Sequence, residues 1–195
     1  MNRNPALNFK IASEPEEFDQ IHRLNYQTFV EEIPQHHPNE DGRLVDRFHH
    51  ENTYLICRCD DRLAGMMALR GKRPFSLDQK LENLDSYLPA GRCIIEVRLL
   101  SISKEHRNGP VLFGLLKLLG EHCIPRGYNL AIISGTLRQQ KLYKHLGFVP
   151  FGPLVGPSGA QYQPMYLTLE VFETQAKKIL SAPSLDPLSA PPGNL

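Results

Sequence analysis

The chain has 195 residues, with 22 Lys and Arg against 21 Asp and Glu, a length that suits one domain with a sizeable core. That balance excludes the basic excess used on nucleic acid, and no lysine or arginine cluster points to a membrane surface. The start, MNRNPALNFK, lacks a signal peptide's apolar core, and no apolar run approaches the ~18 residues of a membrane span, so a cytoplasmic protein without an integral membrane segment is expected.

Leu7 to Ala12 reads as a short first strand. Ser13-Glu-Pro-Glu16 forms a capping box with proline in the first turn, so a helix starts there. Its apolar stripe (Phe18, Ile21, Leu24, Phe29, Val30) keeps helical spacing up to Pro34. A polar loop then runs from Gln35 to Asn52, a length usually found in functional or mobile segments. It holds the doublets His36-His37 and His49-His50, which are expected to be solvated. Thr53 to Cys59 and Leu63 to Arg70 alternate as strands about an Asp60-Asp61-Arg62 turn. Ser76 is a candidate cap for a short helix, Leu77 to Leu84, before a fourth strand, Cys93 to Ile102.

Beyond that strand the pattern becomes β-α-β-α-β-β. Pro110 to Cys123 is helical, Asn129 to Ser134 an apolar strand, and Thr136 to Leu146 a second helix closed by Gly147. Phe148 to Phe151 and Gln161 to Val171 read as the last strands. The helix between 93–102 and 129–134 is long enough for a right-handed crossover, so those strands should lie parallel and adjacent. The expected fold class is α/β, a mixed central sheet with helices on both faces. One domain should span 1–175, followed by a disordered Pro-rich tail or linker over 181–195. Cys57, Cys59, Cys93 and Cys123 read as buried reduced thiols. Cys57-x-Cys59 lacks a matching second pair, so no metal is expected.

The most informative stretch is Cys93-Ile-Ile-Glu-Val-Arg-Leu-Leu-Ser-Ile102, which places two charges inside an apolar run. Strand side chains alternate, so Glu96 and Arg98 share a face. Buried charges persist as a structural ion pair or as site residues, and on the strand alone both readings stand.

Residues 96–112 followed by Leu142-Tyr-Lys-His-Leu-Gly-Phe148 resemble the two signatures of the acyl-CoA N-acyltransferase (GNAT) superfamily, and the resemblance covers roughly 7–171. The resemblance implies a GNAT-type fold with a phosphate cradle at the start of the 110–123 helix, where free amides carry partial positive charge. Leu100, Ser101, Ile102, Arg107, Asn108, Gly109, Val111 and Leu112 would then bind the donor. Pro110 and Leu112 stand where the superfamily places small residues. Pro110 removes an amide donor, which matters less for the single phosphate of a carrier-borne phosphopantetheine. Arg23, Tyr26 and Phe29, the acidic loop Glu40-Asp41 and Asp46, and Arg70 make the N-terminal half similar to the long-chain N-acyl amino acid synthases. The related homoserine-lactone synthases have a tryptophan that this Trp-free chain lacks.

What the resemblance implies is an N-acyltransferase moving an acyl group from acyl-CoA or an acyl carrier protein to a small amine, with an amino acid as the expected acceptor. The carrier protein is thus a possible partner. Glu96 would deprotonate the amine, and Tyr143 would protonate the leaving thiolate. Arg23, Phe29, Arg70 and Arg98 would bind the acceptor, a guanidinium suiting its carboxylate. Phe113, Leu115, Leu116, Leu118 and Leu119 could line an acyl tunnel. The competing readings are a structural Glu96–Arg98 pair, a Tyr143 that only packs, an exposed Arg23, an acetyl-CoA-dependent acetyltransferase of a small amine or peptide, and a degenerate acyl-carrier-binding module.

Overall fold

The computed structural model describes residues 6–181, except 108 and 158–160. Asn108 and the expected tail beyond Ser181 lie outside the described residues.

Seven strands form one sheet: β1 (Leu7–Ile11), β2 (Thr53–Cys59), β3 (Arg62–Arg70), β4 (Ile94–Ile102), β5 (Leu130–Thr136), β6 (Val149–Pro150) and β7 (Tyr162–Thr168), in the order β1-β2-β3-β4-β5-β7-β6. Neighbours run antiparallel except β4 and β5, which are parallel and adjacent as their helical crossover requires. Helix α1 (Pro15–Tyr26) covers one face, with Ile21 and Leu24 on Tyr54, Ile56, Met66 and Ala68. Helix α2 (Pro110–Cys123) covers the other, with Val111, Leu115 and Leu119 on Leu55, Met67, Leu69 and Ile95. The helix over Gln140–His145 (α3) packs beyond β5. The mixed sheet with helices on both faces is therefore the observed architecture.

Several local readings shift. Helix α1 is capped at Glu14, one residue later than expected, because Glu17 accepts the amides of Ser13 and Glu14 at 2.9 and 3.2 Å and Lys10 at 2.8 Å. After Tyr26 the helix widens into a π-helical segment, Gln27–Glu32. Ser76 caps no regular helix, because its amide and hydroxyl both turn to Glu96. The last strand ends at Thr168, and Leu169–Ser181 forms a further helix, α4, tied by Arg92–Glu170 at 2.7 Å. The sequence reading carries the strand on to Val171, which the structure places in this helix. Of the cysteines, Cys57 and Cys123 are buried, and burial pushes each thiol up to about 11. Cys93, by contrast, is exposed.

One contact fixes how closely α2 approaches the sheet. The ring of Phe9 on edge strand β1 lies against the bare backbone of Gly114, where an added Cβ would come within 2.1 Å of the ring. No larger residue fits beneath that ring.

Candidate active site

The site begins where the sheet comes apart. β4 and β5 pair over only three residues, Ile94 with Leu130, Ile95 with Ala131 and Glu96 with Ile132, although both strands continue. Past Glu96 they diverge. A bulge against β3 between Met66 and Ala68 places Leu99 at φ +53°, a left-handed conformation that costs a branched residue about 1–2 kcal/mol. Such strain is characteristic of functional sites. The gap opens into a cavity of about 520 Å³, within the range of small-molecule sites. A second crevice, between α2, β7 and α4, has only about 40 Å³ and is too small for a substrate.

Because directly paired residues share a face, the registers Ala68–Arg98 and Arg70–Glu96 put both charges on the α1 side. Glu96 is 0 % exposed and accepts the amides of Ser76 at 2.8 Å and Leu77 at 3.1 Å, plus the Ser76 hydroxyl, with Arg98 Nε at 3.6 Å. It does not line the cavity. Arg98 does, but its fork is held by Asp46 at 2.7 and 2.8 Å and lies over the Phe48 ring. Burial pushes the Asp46 carboxyl up, yet the Arg98 fork and the Phe48 and Asn52 donors outweigh it and hold it below the usual range.

The other arginines named from the sequence are also engaged. Arg70, 1 % exposed, donates to the Pro74 carbonyl at 2.8 Å and pairs with Glu51 at 3.2 Å, away from the cavity wall. Arg23 is exposed and pairs with Asp19 at 2.8 Å, also off the wall. Phe29 lines the cavity as expected. The cations that sequence reading missed are Lys80 and Arg47, which line the chamber without an ion-pair partner among the described residues. Lys80 sits 5.0 Å from the Tyr162 ring centre. Crowding by the walls, with Arg98 and Arg47 and against the pull of Glu96, holds it below the ordinary lysine range. His49, expected to be solvated, is half-buried and bonds Tyr54 at 3.1 Å and His22 at 3.4 Å beneath this loop.

The opposite wall is apolar: Val97, Leu116, Leu119, Ile133, Leu146 and Phe148. Of the tunnel leucines proposed from the sequence, Leu116 and Leu119 line it. Leu115 is sealed in the core, and Phe113 is 44 % exposed. Tyr143 lines the cavity, packs edge-on against Phe148 and donates to Gln139 at 3.0 Å. Burial pushes its hydroxyl up to about 12. Leu100 faces the cavity, while Ser101 is buried with its hydroxyl unpartnered.

Gly109 caps α2 at φ +107°, followed by Pro110. Arg107 donates to the Ile102 carbonyl at 2.9 Å and pairs with both oxygens of Glu32 at 3.0 and 2.8 Å. Val111 is buried and Leu112 half-buried, both outside the cavity wall. Among the described residues no His, Cys, Asp and Glu group could hold a metal, and no helix is long and apolar enough to cross a membrane.

A parallel pair of strands splayed beside a bulge, with a helix N-terminus below and a through-sheet cavity, defines a GNAT-type acyltransferase fold. The chain belongs to the FeeM N-acyl amino acid synthase family, whose model matches residues 20–169, and it is an N-acyltransferase. No curated protein matches the sequence. Among solved structures, a CoA-dependent acyl-homoserine lactone synthase, BjaI, with SAM and isopentyl-CoA is similar at 19 % identity and TM-score 0.74, over 91 % of this chain and 92 % of that one. FeeM from uncultured soil microbes follows at 17 % and 0.68, over 90 % and 99 %. The acyl-homoserine lactone synthase LasI gives 14 % and 0.68, over 85 % and 91 %. At these identities the likeness concerns the fold, and the family model carries the assignment.

Proposed function

We propose that the enzyme transfers an acyl chain from a phosphopantetheine thioester to the α-amino group of an amino acid. The observation that carries this reading is the cavity itself, which joins an apolar wall on the α2 side to a chamber of surplus positive charge on the α1 side. The apolar wall suits a chain longer than acetyl. Lys80 and Arg47 are free to hold a carboxylate, whereas Arg23, Arg70 and Arg98 already have carboxylate partners.

The chemistry follows from the placement. The amine attacks the thioester carbonyl, the C–S bond breaks, and the proton lost by nitrogen ends on sulfur. Neighbouring cations lower an ammonium's pKa, so Lys80, Arg47 and Arg98 help the bound amine to lose that proton to water. Glu96 has its oxygens taken by Ser76, Leu77 and Arg98, so we assign it to positioning rather than to proton abstraction. With a hydroxyl at about 12, Tyr143 stays protonated and hydrogen-bonds the developing thiolate. Full transfer to a thiol of ordinary pKa, about 8.5, would be uphill.

On the donor side, Pro110 and the Arg107–Glu32 pair leave a weak phosphate cradle, which favours the one phosphate of a carrier-bound arm over the several of CoA. BjaI is CoA-dependent by description, so both donors belong in the test. Purified protein should be incubated with CoA and carrier-protein thioesters of increasing chain length and pooled amino acids, with N-acyl products read by mass spectrometry. Lys80→Met should raise the KM for the amino acid more than it lowers kcat. Thiol release without an N-acyl product would overturn the reading.

A further inference from the structure

Asn25 and Thr28 stand three residues apart, where α1 passes into its π-helical extension. Asn25 is 0 % exposed and Thr28 6 %. Both line the cavity. Neither the amide oxygen nor the amide nitrogen of Asn25 has a hydrogen-bond partner, and neither does Oγ1 of Thr28. Buried polar groups are nearly always paired, and leaving them unpaired is costly, so three such atoms on two residues of one cavity wall call for an account. Leucine and valine would fill the same space without that cost.

Their surroundings narrow what they await. α1 lies on the same face as Arg98, and the loop carrying Asp46 and Arg47 is tied to it by the Leu44 amide on the His22 carbonyl at 2.9 Å. This is the acceptor side of the proposed reaction. The acyl chain has its own apolar wall on the opposite face. An amide and a hydroxyl both donate and accept but carry no charge, so they match a neutral hydrogen-bonding group, the chamber's cations Lys80 and Arg47 being assigned above to the acceptor's carboxylate. A hydrocarbon would leave them unpaired.

We propose that Asn25 and Thr28 form a neutral hydrogen-bonding subsite for the acceptor's side chain. The enzyme then prefers amino acids carrying an uncharged hydroxyl, phenol or carboxamide over hydrocarbons of the same size. This rests on the amino-acid N-acyltransferase reading above and names its acceptor class. A site built to hydrogen-bond its substrate rejects the analogue lacking that group far more strongly than an apolar pocket rejects one methylene.

The test uses one saturated acyl thioester and size-matched acceptor pairs: glutamine with methionine, threonine with valine, tyrosine with phenylalanine. The polar member of at least one pair should show kcat/KM at least tenfold higher, and Asn25→Leu and Thr28→Val should each bring that ratio toward one. Melting without any donor gives an independent readout. The preferred polar acceptor should raise the Tm of the wild type and fail to raise that of Asn25→Leu, whose own Tm should not fall because no interaction is lost. If no amino acid is acylated, the reaction reading fails while the thermal shift still tests the subsite. Equal rates within every pair would overturn the proposal. So would discrimination that follows an oxygen on the acyl chain (3-hydroxyacyl against saturated donor) instead of the acceptor. A drop of several degrees in the Tm of Asn25→Leu with unchanged selectivity would show a structural amide and overturn it too.

Discussion

Ser76 donates to Glu96 twice, from its backbone amide at 2.8 Å and from its hydroxyl, so a loop residue and a strand residue 20 positions apart are held as one unit. Glu96 in turn faces Arg98, which holds Asp46 and so the loop over the chamber. Glu96→Gln removes the charge and points an NH2 at donors. Breaking one partner of a buried ionic pair costs about 3–5 kcal/mol, which in a domain of this size lowers Tm by roughly 6–20 °C. Calorimetry should show that drop. Acceptor KM should rise with it, because the chamber roof loosens. A variant that melts like the wild type but loses kcat by about 100-fold or more would restore Glu96 as the base.

Tyr143→Phe keeps the ring on Phe148 and removes only the hydroxyl. We expect kcat to fall by about 100-fold, the scale of losing one hydrogen-bond donor to a developing anion, and the loss to shrink with donors whose thiolates leave readily. Stability gives a second readout. The folded pKa of about 12 lies above the unfolded value near 10, so the contribution is intact below pH 10 and is lost as pH rises toward 12. Alkaline melting of Tyr143→Phe should lack that component.

Glu32 holds Arg107, and on the proposed reading it would compete there with the donor phosphate. Glu32→Gln should lower the donor KM by up to about fivefold at low salt, the scale of an exposed ion pair, and the gain should fade as salt screens the charge. Arg107→Ala should raise it. Equal donor KM in both variants would remove the α2 N-terminus from donor binding.

Acid should loosen the chamber roof. Burial and the mutual proximity of rings hold His22 and His49 below the ordinary histidine value of 6.5, against the pull of Asp19 and Asp46. Because the folded values are depressed, their contribution is present above pH 6.5 and is lost as pH falls below it. Tm measured from pH 7.5 to 5 should decline, and His49→Phe should flatten the decline. An unchanged slope would place the acid sensitivity elsewhere.

The frame of the site was legible because it is written in local patterns. Strand alternation put Glu96 and Arg98 on one face, the crossover helix forced β4 parallel to β5, and Leu142-Tyr-Lys-His-Leu-Gly-Phe148 brought Tyr143 to the cavity. What the sequence hid depends on contacts distant along the chain. Nothing near Ser76 announces that it will turn to Glu96, and an arginine's partner is invisible until the fold brings a carboxylate beside it. Lys80, Asn25 and Thr28 read as ordinary helix or loop polars, and only a cavity wall gives them meaning. Leu99 adopts a left-handed backbone where the register against β3 shifts, a constraint that its side chain gives no hint of.

If the apolar wall takes the acyl chain, the seat of Phe9 on Gly114 makes the outermost strand a ruler for it. Leu116 and Leu119, on the same helix, form part of the apolar wall, so the depth left for an acyl tail depends on how tightly α2 is drawn to the sheet. On the proposed reading, a residue that touches no substrate would thereby limit the longest chain the enzyme admits. Substrate range in this fold can drift through changes at a sheet edge, while every group that meets the reacting atoms stays the same.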